Sequence, residues 1–233
     1  MPTTLPKTIL LVGASRALGH AMAAEYLKHG WNVVGTVRGR ARTLLHDLAD
    51  TYGKRLEIET IDICEPNQIA ALRARLSGRI FDVLFVNAGV TNNPSETIAD
   101  VTTDEFVRVM VTNALAPMRV IEALHDLVSP TGTIGIMSSG QGSVSNNTTG
   151  MREVYRGSKA ALNMFMRSFA ARHSADLRTM VLMAPGWVRT DMGGPDGRLS
   201  IEESVPNLVN VLLSAQGTPG LQYLDYLGRT VPW

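Results

Sequence analysis

Short apolar runs recur along the chain, each followed by a stretch long enough for a helix, and this alternation restricts the fold more than any other feature. Strands are predicted at 8–12, 32–36, 56–61, 80–86, 132–137, 178–183 and 221–224. Helices are predicted at 17–29, 40–52, 66–77, 103–128, 155–174 and 201–214. The strand runs are continuously apolar, as expected where helices cover both sheet faces. Repeated β–α units joined by right-handed crossovers give an α/β fold, a doubly wound parallel sheet with helices on both faces. Gly30 after the first helix and Pro66 at the start of the third are suitable punctuation. No repeat or linker divides the chain, so residues 1–233 are read as a single domain. The segments 139–150 and 193–200, rich in Gly, Ser, Asn and Pro, read as loops, the second either a lid or an ordinary surface loop.

Composition removes several classes of function. With 45% apolar and 18% charged residues the chain has material for a sizeable core. A net charge of +1 offers no overall attraction for nucleic acid or an anionic membrane, and neither is expected as a partner. Cys64 is the single cysteine, which excludes an intrachain disulfide and fits a reducing, cytoplasmic setting. The opening MPTTLPKTILLVG is too short in apolar length for a signal peptide or membrane span. His20, His29, His46, His125 and His173 are scattered, and no metal-ligand cluster is expected.

The first strand–helix junction, VGASRALG, has the spacing of a phosphate-cradling loop, with Gly13 and Gly19 in place and Ala17 at a middle position. Glycine lets backbone approach a ligand, and a helix N-terminus offers unpaired N–H groups to a pyrophosphate. The Ala17 methyl is expected to block positive φ while tolerating an early helical conformation. The second strand discriminates between cofactors. Where NAD-binding units carry an acid about 20 residues beyond the loop, the stretch from Asn32 to His46 has none, but holds Arg38, Arg40 and Arg42. With Arg16 in the loop, Arg38 suits a 2′-phosphate, and NADP(H) is the expected cofactor. At least one of Arg40 and Arg42 is expected on a solvated helix face. Asp62 after the third strand and Asn87, Ala88 and Gly89 after the fourth lie where ligands bind in open α/β sheets.

Tyr155 and Lys159 in YRGSK are four apart, on one helical face. A lone Y-x-x-x-K is usually a tyrosine above a surface lysine. Here Ser139 ends the fifth strand sixteen residues earlier, which brings both to the sheet edge that holds the nucleotide loop. A nearby ammonium favours a phenolate, and bringing a tyrosine from ~10 to about 7 takes roughly 4 kcal/mol. Lys159 is expected to supply that interaction. A serine hydroxyl donates to an oxygen on which charge builds. These roles suit carbonyl and alcohol chemistry beside a nicotinamide.

Gly13–Gly19, Asp62, Asn87-Ala88-Gly89, Asn113 in VTNALAP, Ser139, Tyr155-x-x-x-Lys159 and PGWVRT at 185–190 occur in order. Through them nearly the whole chain resembles the short-chain dehydrogenase/reductase family. The resemblance implies a Rossmann-type fold and a catalytic set of Ser139, Tyr155 and Lys159, with Asn113 holding a water of a proton relay. It implies cofactor contacts from Gly13, Ser15, Arg16, Leu18, Gly19, Arg38, Asp62, Asn87, Ala88, Gly89, Tyr155, Lys159, Pro185, Gly186, Val188 and Thr190. The long 139–155 segment and the ending GLQYLDYLGRTVPW are similar to the branch of C-factor and sniffer-type carbonyl reductases. The substrate is then a small carbonyl compound or alcohol. Gln141, Val144, Met151, Trp187 and Met192 are candidates to line its pocket. The C-factor likeness keeps a second reading open, an NAD(P)-binding signalling or regulatory protein with little turnover. Family members often form homodimers or homotetramers through long helices, and the altered ending bears on one such interface.

Overall fold

The structure, a computed structural model, describes residues 6–233, so the first part of the opening segment lies outside the described residues. Strand β1 (Thr8–Val12) sends Ile9 and Leu11 to one face and Leu10 and Val12 to the other, and all four are buried. It runs through the glycine turn into α1 (Ala17–Lys28), followed by β2 (Asn32–Val37), α2 (Leu44–Tyr52) and β3 (Leu56–Thr60). After α3 (Pro66–Arg75) the chain crosses to the other side of β1 and forms β4 (Phe81–Val86). Then come α4 (Thr103–Met110), α5 (Ala116–Leu124), β5 (Val128–Met137), α6 (Glu153–Arg172), β6 (Thr179–Ala184), α7 (Ile201–Ala215) and β7 (Gly220–Asp225).

The seven strands form one sheet in the order β3-β2-β1-β4-β5-β6-β7, every pairing parallel. Ile9 pairs with Val33 on one side and Val83 on the other. The reversal of strand order at β1 opens a crevice beyond the carboxyl ends of β1 and β4. Met22, Tyr26, Leu45, Leu208 and Leu212 from α1, α2 and α7 cover one face; Leu72, Ile121, Leu124, Leu162 and Phe169 from α3, α5 and α6 cover the other. Each fully buried Leu or Phe contributes about 2–3 kcal/mol. The edge strand β3 is guarded by Glu57 and Glu59, which pair with Arg79 and Arg75.

Two expected helices depart from the sequence expectation, and β5 begins at Val128 rather than 132. Helix α2 begins at Leu44 rather than 40, because Gly39 turns the chain with φ +86 and Thr43 with His46 closes a capping box. The helix expected over 103–128 is interrupted by a π-turn, Val111–Leu115, in which the Ala116 N–H donates to the Val111 carbonyl. Pro117 follows it and has no N–H to give to the Asn113 carbonyl four residues back. The 193–200 segment is a loop, as expected, held by bonds from Gly194 N–H to the Thr190 carbonyl (2.8 Å), Arg189 N–H to the Leu199 carbonyl (2.9 Å) and Trp187 Nε1 to the Gly193 carbonyl (2.7 Å). Among the described residues no helix is long and apolar enough to cross a membrane, and no cluster of His, Cys, Asp and Glu is placed to hold a metal ion.

Candidate active site

The crevice holds a cleft of about 270 Å³ joined to a second hollow of about 370 Å³. Gly13, Ser15, Arg16, Leu18, Arg38, Asp62, Asn87, Ala88, Gly89, Lys159 and Pro185 line the cleft. At its inner end the glycine turn is packed against β4. A methyl on Gly13 would come within 2.8 Å of the Ala88 nitrogen, and one on Gly19 within 2.0 Å of the Gly13 carbonyl oxygen. Asn87 fixes this arrangement by donating to the Gly13 carbonyl (2.8 Å), and the Gly13 N–H donates to the Thr36 hydroxyl (3.0 Å). The first turn of α1 has neither a side-chain cap nor an acidic residue. Its N–H groups therefore face the cleft with the positive end of the helix dipole uncompensated, the setting an anion needs. Contrary to the sequence expectation, Ala17 takes positive φ, +47, instead of a regular helical conformation. The surrounding packing imposes the glycine-like turn in spite of its methyl group.

The arginines separate by environment. Arg38, exposed at the end of β2, has no side-chain hydrogen bond or ion pair among the described residues. Arg16 reaches across the cleft mouth to Asp191 at 3.0 Å, both side chains being largely exposed. Arg42 is solvated and held by Asp47 (2.7 Å) and Asp50 (2.5 Å) of α2, but like Arg40 it lies in the loop before that helix, not on the helix face expected. One Asp62 oxygen accepts from the Cys64 N–H (2.9 Å), which holds its carboxylate at the cleft wall.

Tyr155 stands where cleft and hollow meet and lines both, as do Leu18, Pro185, Thr190 and Met192. Ser139, Gln141, Gly186, Trp187 and Val188 line the hollow. Gly186 and Val188 thus lie on the hollow side, not in the cleft proper. Within this loop Thr190 accepts from the Gly193 N–H (3.0 Å). Val144 and Met151 line neither space and are 73% and 61% exposed, because the 144–151 loop runs outward over the surface. Asn113 also lines neither. It is fully buried in the π-turn, accepts from the Val90 N–H (2.8 Å) and donates to the Val90 carbonyl (2.8 Å) and the Ser158 hydroxyl (2.9 Å). A methyl on Gly89 would touch Asn113 Oδ1 at 3.3 Å and Lys159 Nζ at 3.5 Å, so Asn113 and Lys159 flank the same backbone.

Lys159 is buried and donates to the Met137 carbonyl at 2.9 Å. Burial lowers its pKa to about 8. The expectation that Lys159 depresses the tyrosine is not met in this geometry. Burial holds the Tyr155 phenol above its ordinary value, and the groups that pull it back are Ser139, through a side-chain hydrogen bond, and Arg152, through its charge. The Lys159 ammonium lies 6.0 Å from the Tyr155 ring centre and is spent on a carbonyl. The Ser139 hydroxyl accepts from the Gln141 N–H (3.1 Å), while its carbonyl accepts from the Tyr223 hydroxyl.

Several wall residues were not singled out in the sequence: Thr36, Cys64 and Asp191 in the cleft, and Arg152, Asp225, Tyr226, Arg229 and Val231 in the hollow. The last four come from the C-terminal segment, whose unusual ending was the one available signal. It turns after β7, buries Val231 and bonds its N–H to the Tyr223 carbonyl at 2.8 Å.

A parallel sheet with its crevice at β1/β4, a glycine turn and an uncapped helix N-terminus define a dinucleotide-binding α/β protein. The short chain dehydrogenase family model matches residues 7–198, and the chain belongs to that family. A Burkholderia multivorans protein described as a short-chain dehydrogenase/reductase, crystallised with bound NADP, is 67% identical, with 98% of this chain and 100% of that chain covered and a TM-score of 0.97. The carbonyl reductase Sniffer of D. melanogaster is 27% identical, with 98% and 100% covered and a TM-score of 0.86. The C-signal protein of Myxococcus xanthus is 39% identical over 158 residues, 65% of this chain and 92% of that protein.

Proposed function

We propose that the chain is an NADPH-dependent carbonyl reductase, or an alcohol dehydrogenase in the reverse direction, with one domain carrying both cofactor and substrate sites. The observation that carries this reading is the position of Tyr155 at the junction of cleft and hollow, with Ser139 on the hollow side and Lys159 on the cleft side. The glycine turn and the free N–H groups of α1 suit a pyrophosphate, Arg38 suits a 2′-phosphate, and Lys159 and Thr190 line the stretch toward Tyr155. When bound, the nicotinamide supplies a hydride to the carbonyl carbon. Ser139 polarises the carbonyl oxygen and Tyr155 hands it a proton. Lys159, on the cleft side, would grip the cofactor ribose, and Asn113 would support the relay that returns the proton. The bound NADP of the Burkholderia relative and the carbonyl reductase activity named for Sniffer support this reading.

The test is a panel of ketones and aldehydes followed at the nicotinamide absorbance band. Tyr155→Phe is expected to lower turnover by about a hundredfold or more while NADPH still binds. Near-normal turnover in that variant would defeat the assignment. The likeness to C-signal favours the second reading, a signalling protein that binds NADP(H). Tight NADPH binding with no turnover across the panel would select it.

A further inference from the structure

Resting on the reductase reading, we propose that the hollow beside Tyr155 takes carbonyl compounds bearing a carboxylate, with Arg152 as the residue that selects for that charge. Three observations converge on Arg152. It lines the hollow together with Ser139 and Tyr155 and is half-buried there. Its guanidinium makes no hydrogen bond or ion pair among the described residues, whereas most arginines of the chain hold a carboxylate or a carbonyl. It also occupies the left-handed region, φ +59 and ψ +42, at the N-cap of α6, a conformation that a residue with a Cβ adopts only at a cost. An uncompensated charge on a strained backbone at a pocket wall is the pattern of a residue kept for a ligand.

The charge count of the hollow narrows the ligand to a monoanion. Its charged residues are Arg152, Arg229 and Asp225. Arg229 donates to Asp225 at 2.7 Å, so that pair is closed, and one positive charge remains. Trp187, Val188, Met192 and Val231 line the rest, which suits a short apolar body. Arg152 sits at the N-cap of α6, three residues before Tyr155, and both line the hollow. A substrate whose carbonyl meets Tyr155 therefore directs a carboxylate on a short spacer toward Arg152. The same guanidinium already acts on this site, since its charge is felt at the Tyr155 phenol.

Acids and their methyl esters test this: acetoacetate and methyl acetoacetate, levulinate and methyl levulinate, 3-benzoylpropionate and methyl 3-benzoylpropionate. In wild type, kcat/KM for at least one acid should exceed that of its ester. In Arg152→Gly, which accommodates positive φ, the acid-to-ester ratio should fall by about tenfold to a hundredfold, the value of a charge-assisted hydrogen bond. Arg152→Lys should restore part of the ratio, mainly through KM. Calorimetric titration of the same acids and esters onto the NADP⁺ complex reads the preference without turnover. Reduction of neutral ketones with an acid-to-ester ratio unmoved in Arg152→Gly overturns the charge assignment and leaves the reductase reading standing. No reduction of any compound, with acids still binding more tightly than esters in an Arg152-dependent way, overturns the reductase reading and leaves the anion site standing.

Discussion

Ala17 shows how a single residue can sit against its own preference. At φ +47 its methyl group strains a turn that the packing of Gly13 against Ala88 and of Gly19 against Asn87 imposes. Ala17→Gly is expected to raise thermal stability by about 1 kcal/mol, read as a higher Tm in the cofactor-free protein. Lys159 is strained electrostatically instead. Its folded pKa of about 8 lies below that of an unfolded lysine. Below pH 8 both states hold the proton and the cost of burying the ammonium is met in full. Above it the folded chain has released a proton that the unfolded chain still binds, so stability rises with pH. Between about pH 7.5 and 9.5 wild type should gain about 1–2 kcal/mol relative to Lys159→Met in denaturant titrations. The buried Tyr155 phenol acts in the opposite sense only above its ordinary value, which keeps that window clear. A flat difference between the two proteins would show that Lys159 keeps its charge through the window.

At the scale of elements, two loops on opposite sides of the cleft touch through Arg16 and Asp191. An exposed pair of this kind contributes little to stability, so its effect is felt through competition. On the proposed reading, in which Arg16 meets the 2′-phosphate, Asp191 competes for that guanidinium. Asp191→Asn should therefore tighten NADPH by about two- to fivefold, less so at high salt, and leave NADH affinity nearly unchanged. Equal changes for the two cofactors would show that Arg16 does not read the phosphate. The π-turn at Val111–Leu115 belongs to the same scale. It is set by Pro117 and by the hold of Asn113 on Val90 and Ser158, a pairing of residues 23 and 45 positions away. Hydrophobic periodicity runs unbroken through 103–128 and gave no warning of it. The α2 start was missed for a related reason: Gly39 and the Thr43–His46 box are capping features, which a periodic pattern does not contain.

In the whole molecule, the order β3-β2-β1-β4-β5-β6-β7 places the glycine turn, the end of β2 and the start of α6 around one crevice. A ligand bound there ties both halves of the sheet together. NADPH at about a hundredfold excess over its Kd should stabilise the fold by about 3 kcal/mol, a Tm rise of about 5–10 °C. NADH at the same concentration should give a clearly smaller rise, and matching rises would remove the 2′-phosphate from the recognition. What the sequence determined by itself was whatever depends on local chemistry: strand and helix types, the glycine turn, the missing acid near Arg38 and the i, i+4 spacing of Tyr155 and Lys159. These follow from period, backbone freedom and charge, each legible within a few residues. Only the tertiary structure decided which groups share a space. It sent Val144 and Met151 outward, paired Arg16 with Asp191, folded Val231 and Arg229 into the hollow, and turned Arg152, beside the Met151 that the sequence had favoured, toward Tyr155. Burial, and with it the direction in which Tyr155 and Lys159 titrate, is a sum over neighbours brought from distant parts of the chain. No local pattern encodes that sum.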